Sequence, residues 1–327
     1  MKIRTTLTAS LALACALMAP AMAAPVNGSF NVGPLPNGAT WTVTAVNNNQ
    51  LNINEAVLNH SGDFFSDGYD GAWRLTVDGV NYGAPSYDLT DTTVTGSPLS
   101  ISGVNVSMQY YFVPLSSVAR ILVTLQNPGG SAASPNVRLF TNLGSDSSTV
   151  VQTTSNGDNI VTPADRWFVS TQNVSPRFPD PIITTVTHGP GTPRVTPTAS
   201  TLNARSDSVV TQFTVPVPAG QTRSLMLFAG LGGITVANNL LPSAQAGAAL
   251  FNSTSTLRPE WLSGMSTTQQ SQVVNWTLFT TCAAEGYTGG KLTLCQKVCE
   301  IPQSPSTLAG LIKLYTAFYR ETPPCGI

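Results

Sequence analysis

Trp73-Arg74-Leu75-Thr76-Val77-Asp78-Gly79-Val80-Asn81-Tyr82 is the stretch that decides the fold class of this chain. Apolar and polar side chains alternate before Asp78-Gly79, the period of two by which an extended strand buries one face. Asp-Gly tolerates positive φ at both central positions, as a two-residue type I′ hairpin requires. Alternation places Trp73 and Leu75 together on the core side. The same pattern recurs outward from this hairpin. Residues 40–46 alternate and stop in an Asn run, and residues 104–113 and 119–125 follow, the latter closed by Asn127-Pro128-Gly129-Gly130. Residues 137–141, 167–170 and 182–186 are further strands, and residues 209–217 and 223–228 flank Pro218-Ala219-Gly220-Gln221 as a second hairpin. Prolines crowd residues 175–197, marking a loop or edge strands, since proline cannot donate to a ladder. Many short strands with frequent turns and no fixed repeat predict a mainly β chain: a large antiparallel two-sheet sandwich.

The pattern changes near Ala237. Residues 242–251 are alanine-rich, and Ser266-Thr267-Thr268-Gln269 is a capping box ahead of Val273, Val274 and Trp276. These features predict short helices covering an end or edge of the sandwich. The tail differs again. Cys282, Cys295, Cys299 and Cys325 and every lysine beyond Lys2 (Lys291, Lys297, Lys313) lie in residues 282–327, whereas residues 24–281 hold no Cys and no Lys. Residues 292–301 place Cys295 and Cys299 on one helical face, and Pro302 stops that helix. Ser304 or Ser306 caps a second helix, with Pro305 in its first turn and Leu308, Leu311, Ile312, Tyr315 and Phe318 as an apolar stripe. Such a hairpin has too little core to stand alone, so a disulfide-tied α-helical hairpin is expected at the C-terminus. Of the three possible pairings, 295–325 with 282–299 is the expected one, because Pro323 and Pro324 let Cys325 fold back. A zinc site is disfavoured, since the C-x3-C spacing is not the usual C-x2-C.

The N-terminus reads as a signal peptide, residues 1–23, with Lys2 and Arg4, an apolar run over 7–18 and the cleavage site Ala21-Met22-Ala23. A lipoprotein box ending at Cys15 is the rival, but leucine is missing three residues before the cysteine. The expected division is then 24–236 as sandwich body, 237–281 as covering segment and 282–327 as tail. An exported chain with an even cysteine count belongs in an oxidising space, and the alanine-rich leader has a bacterial character; secretion or the periplasm follows. Without Lys2 and Arg4 the 15 basic and 16 acidic residues become 13 and 16, a net charge of −3. That balance does not steer toward nucleic acid or anionic membrane. Charged residues make up 9% against about 25% in ordinary domains, yet 42% hydrophobic residues still fill a core.

Few residues carry chemistry. Neither His60 nor His188 stands in H-E-x-x-H, and no G-x-S-x-G occurs. His188, before Gly189-Pro190-Gly191, is either a turn histidine or, paired with Glu55 or Glu260, a base for sugar chemistry of the mutarotase type. The acidic loop Asp63-Phe64-Phe65-Ser66-Asp67-Gly68-Tyr69-Asp70-Gly71 supplies Asp63, Asp67 and Asp70 as calcium ligands or as Asx turns, with spacing unlike an EF-hand. Asp146 and Asp158 read the same way, and Asp165 is expected to pair with an arginine. Arg74, Arg120 and Arg138 lie within strands and need partners. Phe64, Phe65 and Tyr69, expected in the loop, are candidates for stacking on sugar rings.

Lys291-Leu292-Thr293-Leu294-Cys295, Ser304-Pro305-Ser306-Thr307 and Thr322-Pro323-Pro324-Cys325 resemble the tails of uncharacterised secreted bacterial β-sandwich proteins with a short Cys-containing helical tail. Asn142-Leu143-Gly144-Ser145-Asp146 and Ala164-Asp165-Arg166-Trp167 carry the same resemblance into the body. It implies an exported sandwich and transfers no catalytic residue. The expectation is a non-enzymatic exported protein for surface or extracellular binding or structure, with carbohydrate as a possible ligand and no cofactor beyond calcium. The alternative is a secreted carbohydrate-active enzyme, a hydrolase, lyase or mutarotase-like epimerase, on a large β-supersandwich.

Overall fold

The opening hairpin forms as β6 (Arg74–Val77) and β7 (Val80–Asn81), with Asp78 at φ 48° and Gly79 at φ 80°. These features come from a computed structural model, which describes residues 23–60, 63–172, 180–191, 193–202, 207–232, 240–253, 257–278, 282, 287–299, 304–320 and 323. Apart from Ala23, the signal-peptide reading and Cys15 lie outside the described residues, as does Cys325. Leu75 and Val77 are buried as alternation requires. Trp73 is buried too, but just before the strand, in the left-handed region at φ 63°. Its N–H donates to Thr141 Oγ1 at 3.2 Å, and its carbonyl accepts from the Tyr110 hydroxyl at 3.0 Å. These bonds offset the cost of that backbone for a bulky residue.

One layer is a ten-stranded antiparallel sheet. Its order runs β1 (Ala24–Val26), β8 (Tyr87–Thr90), β9 (Thr93–Gly96), β11 (Val104–Phe112), β12 (Val118–Gln126), β19 (Thr222–Leu231), β16 (Ile183–Val186), β15 (Trp167–Gln172) and β14 (Thr149–Thr154), with β10 (Leu99–Ile101) paired to β11. The other layer has two parts. Five strands run β17 (Ala199–Leu202), β18 (Ser208–Thr214), β13 (Asn136–Asn142), β6 and β7; four run β2 (Gly28–Val32), β3 (Ala39–Ala45), β4 (Asn52–His60) and β5 (Asp63–Phe65). Ile53 and Ala72 join the two parts by exchanging backbone bonds at 3.0 and 2.7 Å. Alternate residues of β3, β6, β11 and β13 point into the core between the layers, where Trp41 meets Phe112 at 5.3 Å.

Strands β12, β15 and β19 are buried on both faces. The second face is covered by the chain's own later segment: α1 (Leu240–Ala249), one-turn 3-10 helices at Leu250–Asn252 and Pro259–Leu262, and α2 (Thr267–Gln272). A second core forms there, with Phe228 at 5.2 Å from Phe251 and 5.5 Å from Trp276, and Phe251 stacked on Trp261 at 4.6 Å. The capping box is present: Ser266 Oγ accepts from the Gln269 N–H at 3.2 Å, and Gln269 Oε1 accepts from the Ser266 N–H at 2.9 Å. After α2 the chain extends along β19, where the Val274 N–H donates to Ser224 O at 2.9 Å. Arg120, buried in β12, spans sheet and cover. It donates through Nη1 to Trp261 O and Ser263 O, both at 2.9 Å, and lies 4.8 Å from the Tyr111 ring. Its partners are carbonyls, and burial lowers its pKa to about 10.

The tail is helical, with α3 (Gly289–Cys299) and α4 (Pro305–Tyr319) around a separate small core of Cys282, Cys295, Val298 and Tyr315. Ser304 caps α4, accepting from the Thr307 N–H at 3.3 Å. Of the expected stripe, Tyr315 is buried but Phe318 is 69% exposed; Tyr319 packs against Tyr315 at 5.1 Å instead. The expected cysteine pairing is corrected: Cys282 bonds to Cys295, with Cα atoms 5.8 Å apart. Cys295 lies on the buried side of α3 and meets the incoming chain there, whereas Cys299 sits one turn further on. Cys299 is disulfide-bonded as well. Oxidised sulfurs offer no thiolate to zinc. No helix among the described residues is long and apolar enough to cross a membrane.

Candidate functional site

Two features stand out, and both involve β13. The first is acidic. The loop between β5 and β6 is pinned by three backbone bonds: Gly68 N–H to Ala56 O (3.0 Å), Asp70 N–H to Asn142 O (3.1 Å) and Gly144 N–H to Gly68 O (3.2 Å). Gly144 is required there, since a Cβ would fall 1.7 Å from Asp67 O. The pinning sets Asp70 against Asp146, at the start of the 3-10 turn Asp146–Ser148, and against Asp207, just ahead of β18. Carboxylate oxygens of Asp70, Asp146 and Asp207 all lie within 4.8 Å of one another. With its amide turned so that Nδ2 faces the carboxylate, Asn142 donates to both Asp207 oxygens at 2.6 Å. Glu55 Oε1 accepts from the Asp67 N–H at 3.4 Å. Burial, then Asp70, Asp146 and Glu55, raise the Asp67 pKa; burial, then Asp146, Asp207 and Glu55, raise that of Asp70. Asp180 is only 6% exposed, and its Oδ2 has no hydrogen-bond partner among the described residues. Its carboxyl is pushed up to about 7, by burial first and then by Asp67, Asp146 and Asp70.

The second feature is the outward face of the five-stranded sheet. Strand alternation turns Arg138 and Phe140 of β13 outward, and the register sets Arg138 between Thr76 and Gln212 and Phe140 between Arg74 and Val210. The guanidinium of Arg74 lies 4.4 Å from the Phe140 ring centre and that of Arg138 lies 5.8 Å from it. Gln50, Asn81, Asn136 and Gln212 add amides around two adjoining surface depressions. Arg74 Nε has no hydrogen-bond partner among the described residues. Along β13 the arginine face leads into the acidic cluster, since Asn142 follows Phe140 by two residues on the same side of the strand.

The other sequence candidates scatter. Asp63 belongs to β5, not to a loop, and its side chain lies outside the described set, as does that of His60. Phe64 is 65% exposed, on a depression with Pro36, Asn37 and Asn59. Phe65 and Tyr69 are corrected to core residues: Phe65 pairs with inward Leu58, and Tyr69 is fully buried 6.4 Å from Trp41. Neither can stack on a ligand. His188 is buried, with Nδ1 3.0 Å from Thr187 Oγ1; burial and Arg166 lower its pKa to about 4, against Asp165. Its charged neighbours are thus Arg166 and Asp165. Glu55 belongs to the acidic cluster, and Glu260 pairs with Arg258 at 3.9 Å, so the structure does not assemble the three as one site. Asp158 forms an Asx turn, accepting from the Ile160 N–H at 3.0 Å. Asp165 is corrected: its Oδ2 accepts from Thr162 N–H and Oγ1 at 2.9 and 2.8 Å, closing a turn, and it makes no ion pair among the described residues. Asp180, Asp207 and Phe140 escaped the sequence reading, because register and loop packing, not local spacing, give them their neighbours.

No family model and no curated protein matches this chain. Solved structures with some likeness include a heparan sulfate lyase from Pedobacter heparinus, 10% identical at a TM-score of 0.40, covering 64% of this chain and 36% of the lyase. A galactose mutarotase-like protein from Lactobacillus casei ATCC 334 is 11% identical at 0.37, covering 62% of this chain and 100% of its own. A putative kojibiose phosphorylase from human microbiome is 7% identical at 0.37, covering 67% and 31%. The chain thus spans about a third of the lyase and of the phosphorylase.

Proposed function

We propose that this is an exported carbohydrate-binding protein that holds an acidic saccharide on the outward face of the five-stranded sheet. The observation that carries the reading is Phe140 set between Arg74 and Arg138, with amides around them. Guanidinium groups grip carboxylate or sulfate, the Phe140 ring holds them in place by cation–π contact, and amides bond hydroxyls. Residues 24–281 contain no lysine, so arginines are the fixed cations of the body, and two of them share this face. The tail disulfide fits secretion or a periplasmic location, because such bonds persist in oxidising compartments.

The test is titration calorimetry of the full chain with uronate-containing, sulfated and neutral oligosaccharides. Acidic sugars should bind, more weakly as salt rises. The double variant Arg74→Ala/Arg138→Ala should lose at least about tenfold in affinity, the effect of one charge-assisted bond. Equal binding of neutral sugars, or unchanged binding by the variant, would refute the reading. If the polysaccharide instead acquires new reducing ends or unsaturated uronates, the chain is a carbohydrate-active enzyme, the type of activity named for the lyase above.

A further inference from the structure

The acidic cluster at the end of the arginine face concentrates negative charge that no described ion pair neutralises. Glu55, Asp67, Asp70, Asp146, Asp180 and Asp207 come from separate places in the chain, and the charged groups acting on Asp67, Asp70 and Asp180 are other carboxylates. Folding these together costs free energy unless something positive joins them. Two independent observations point to a cation. Oxygens of Asp70, Asp146 and Asp207 converge within 4.8 Å, from solvent-accessible side chains. Close by, Asp180 is 94% buried (6% exposed) with Oδ2 lacking a hydrogen-bond partner among the described residues, within Coulombic reach of Asp67, Asp146 and Asp70, and Pro181 packs against the Gly68 turn of the same loop. A buried carboxylate oxygen without a donor wants a ligand.

We infer that Asp70, Asp146 and Asp207, with Asp180 on the buried side, form a divalent-cation site of calcium type. Calcium is favoured over magnesium because it accepts several carboxylates in flexible geometry, whereas magnesium demands an octahedron and gives up its waters reluctantly. Asn142 engages Asp207 through one amide nitrogen and leaves lone pairs on both oxygens. The site stands independently of the saccharide reading.

Calcium chloride titrated into the EDTA-treated full chain, followed by calorimetry and thermal unfolding, tests this. One ion per chain should bind with Kd of about 10⁻⁵–10⁻³ M, the range from sensors to extracellular modules. Magnesium should bind at least about tenfold more weakly, and 10 mM calcium should raise Tm. Asp146→Asn/Asp207→Asn should weaken calcium binding at least about tenfold, while its Tm without calcium equals or exceeds the parent's, because repulsion is relieved. Asp180→Asn should weaken binding without loss of fold, and Asp78→Asn, remote on the hairpin turn, should leave it unchanged. Absence of saturable binding in the parent at 10 mM calcium, or parent-like affinity in both cluster variants, would overturn the site.

Discussion

Asn275→Ala should be among the most damaging single changes in the protein. Pairing of β16 with β19 ends at Val186–Phe228, so the next rung would set His188 opposite Met226. Asn275 takes that rung instead. Its Oδ1 accepts from the Met226 N–H at 2.8 Å, and its Nδ2 donates to Met226 O at 2.8 Å and to Thr187 O at 2.9 Å, all fully buried. One carboxamide thus completes the ladder where the strands part. Alanine removes three bonds at about 1 kcal/mol each and leaves Met226 N–H and Thr187 O unpaired. Met226 O keeps the Trp276 Nε1–H donor at 2.6 Å. The expected loss is about 3–5 kcal/mol, a large share of an ordinary stability of about 5–15 kcal/mol. Equilibrium urea unfolding followed by tryptophan fluorescence measures it, with an unchanged m-value locating the effect in the folded state. Asn275→Asp is the sharper variant. It keeps the acceptor for Met226 N–H but turns a carboxylate toward two carbonyls, so it should be less stable at pH 7 than at pH 4.5 relative to the parent. A loss below about 1 kcal/mol for alanine, or a pH-independent aspartate variant, would refute the idea of a substitute rung.

Three further outcomes follow. His188 has a folded pKa of about 4 against 6.5 in the unfolded chain, so only the unfolded state takes up the proton between them, and stability should fall by about 2–3 kcal/mol as pH drops from 6.5 to 4; His188→Gln should flatten that part of the urea-midpoint profile. Gly144→Ala places a Cβ 1.7 Å from Asp67 O and should cost about 2–4 kcal/mol by thermal unfolding, since backbone rather than a flexible side chain must yield. Cys282→Ser/Cys295→Ser opens a loop with a sequence separation of 13 and should destabilise the tail by about 3 kcal/mol, seen as faster amide exchange in α3 and α4 with the sandwich strands unchanged.

The hairpin at Asp78-Gly79, the alternating strands and the helical tail were legible because each is a local pattern. Leu75, Val77, Val137 and Leu139 announce a buried face through their spacing alone. Residues 119–125 and 223–228 read as strands, but their continuous apolar character acquires its reason only from the covering segment, which fills the second face with Phe251, Trp261 and Trp276. That segment looked merely helical in sequence; its last part, residues 273–276, instead extends along β19 and supplies the rung at Asn275. The loop carrying Asp67 and Asp70 was visible as acidic and glycine-rich, yet its aromatics divide in opposite directions. Phe64 is exposed, while Phe65 and Tyr69 go to the core, because Phe65 falls on the inward side of a strand pair and Tyr69 lies over Trp41.

By itself the sequence determined the alternating strands, the helical tail and the hairpin turns, since periodic burial and turn chemistry act between near neighbours. Tertiary structure alone decided that Asp207 joins Asp70 and Asp146, that two arginines flank Phe140, and that Cys282 meets Cys295. Those encounters depend on strand register, layer packing and the path of the incoming chain, and such long-range geometry leaves no periodic mark on the residues that it brings together.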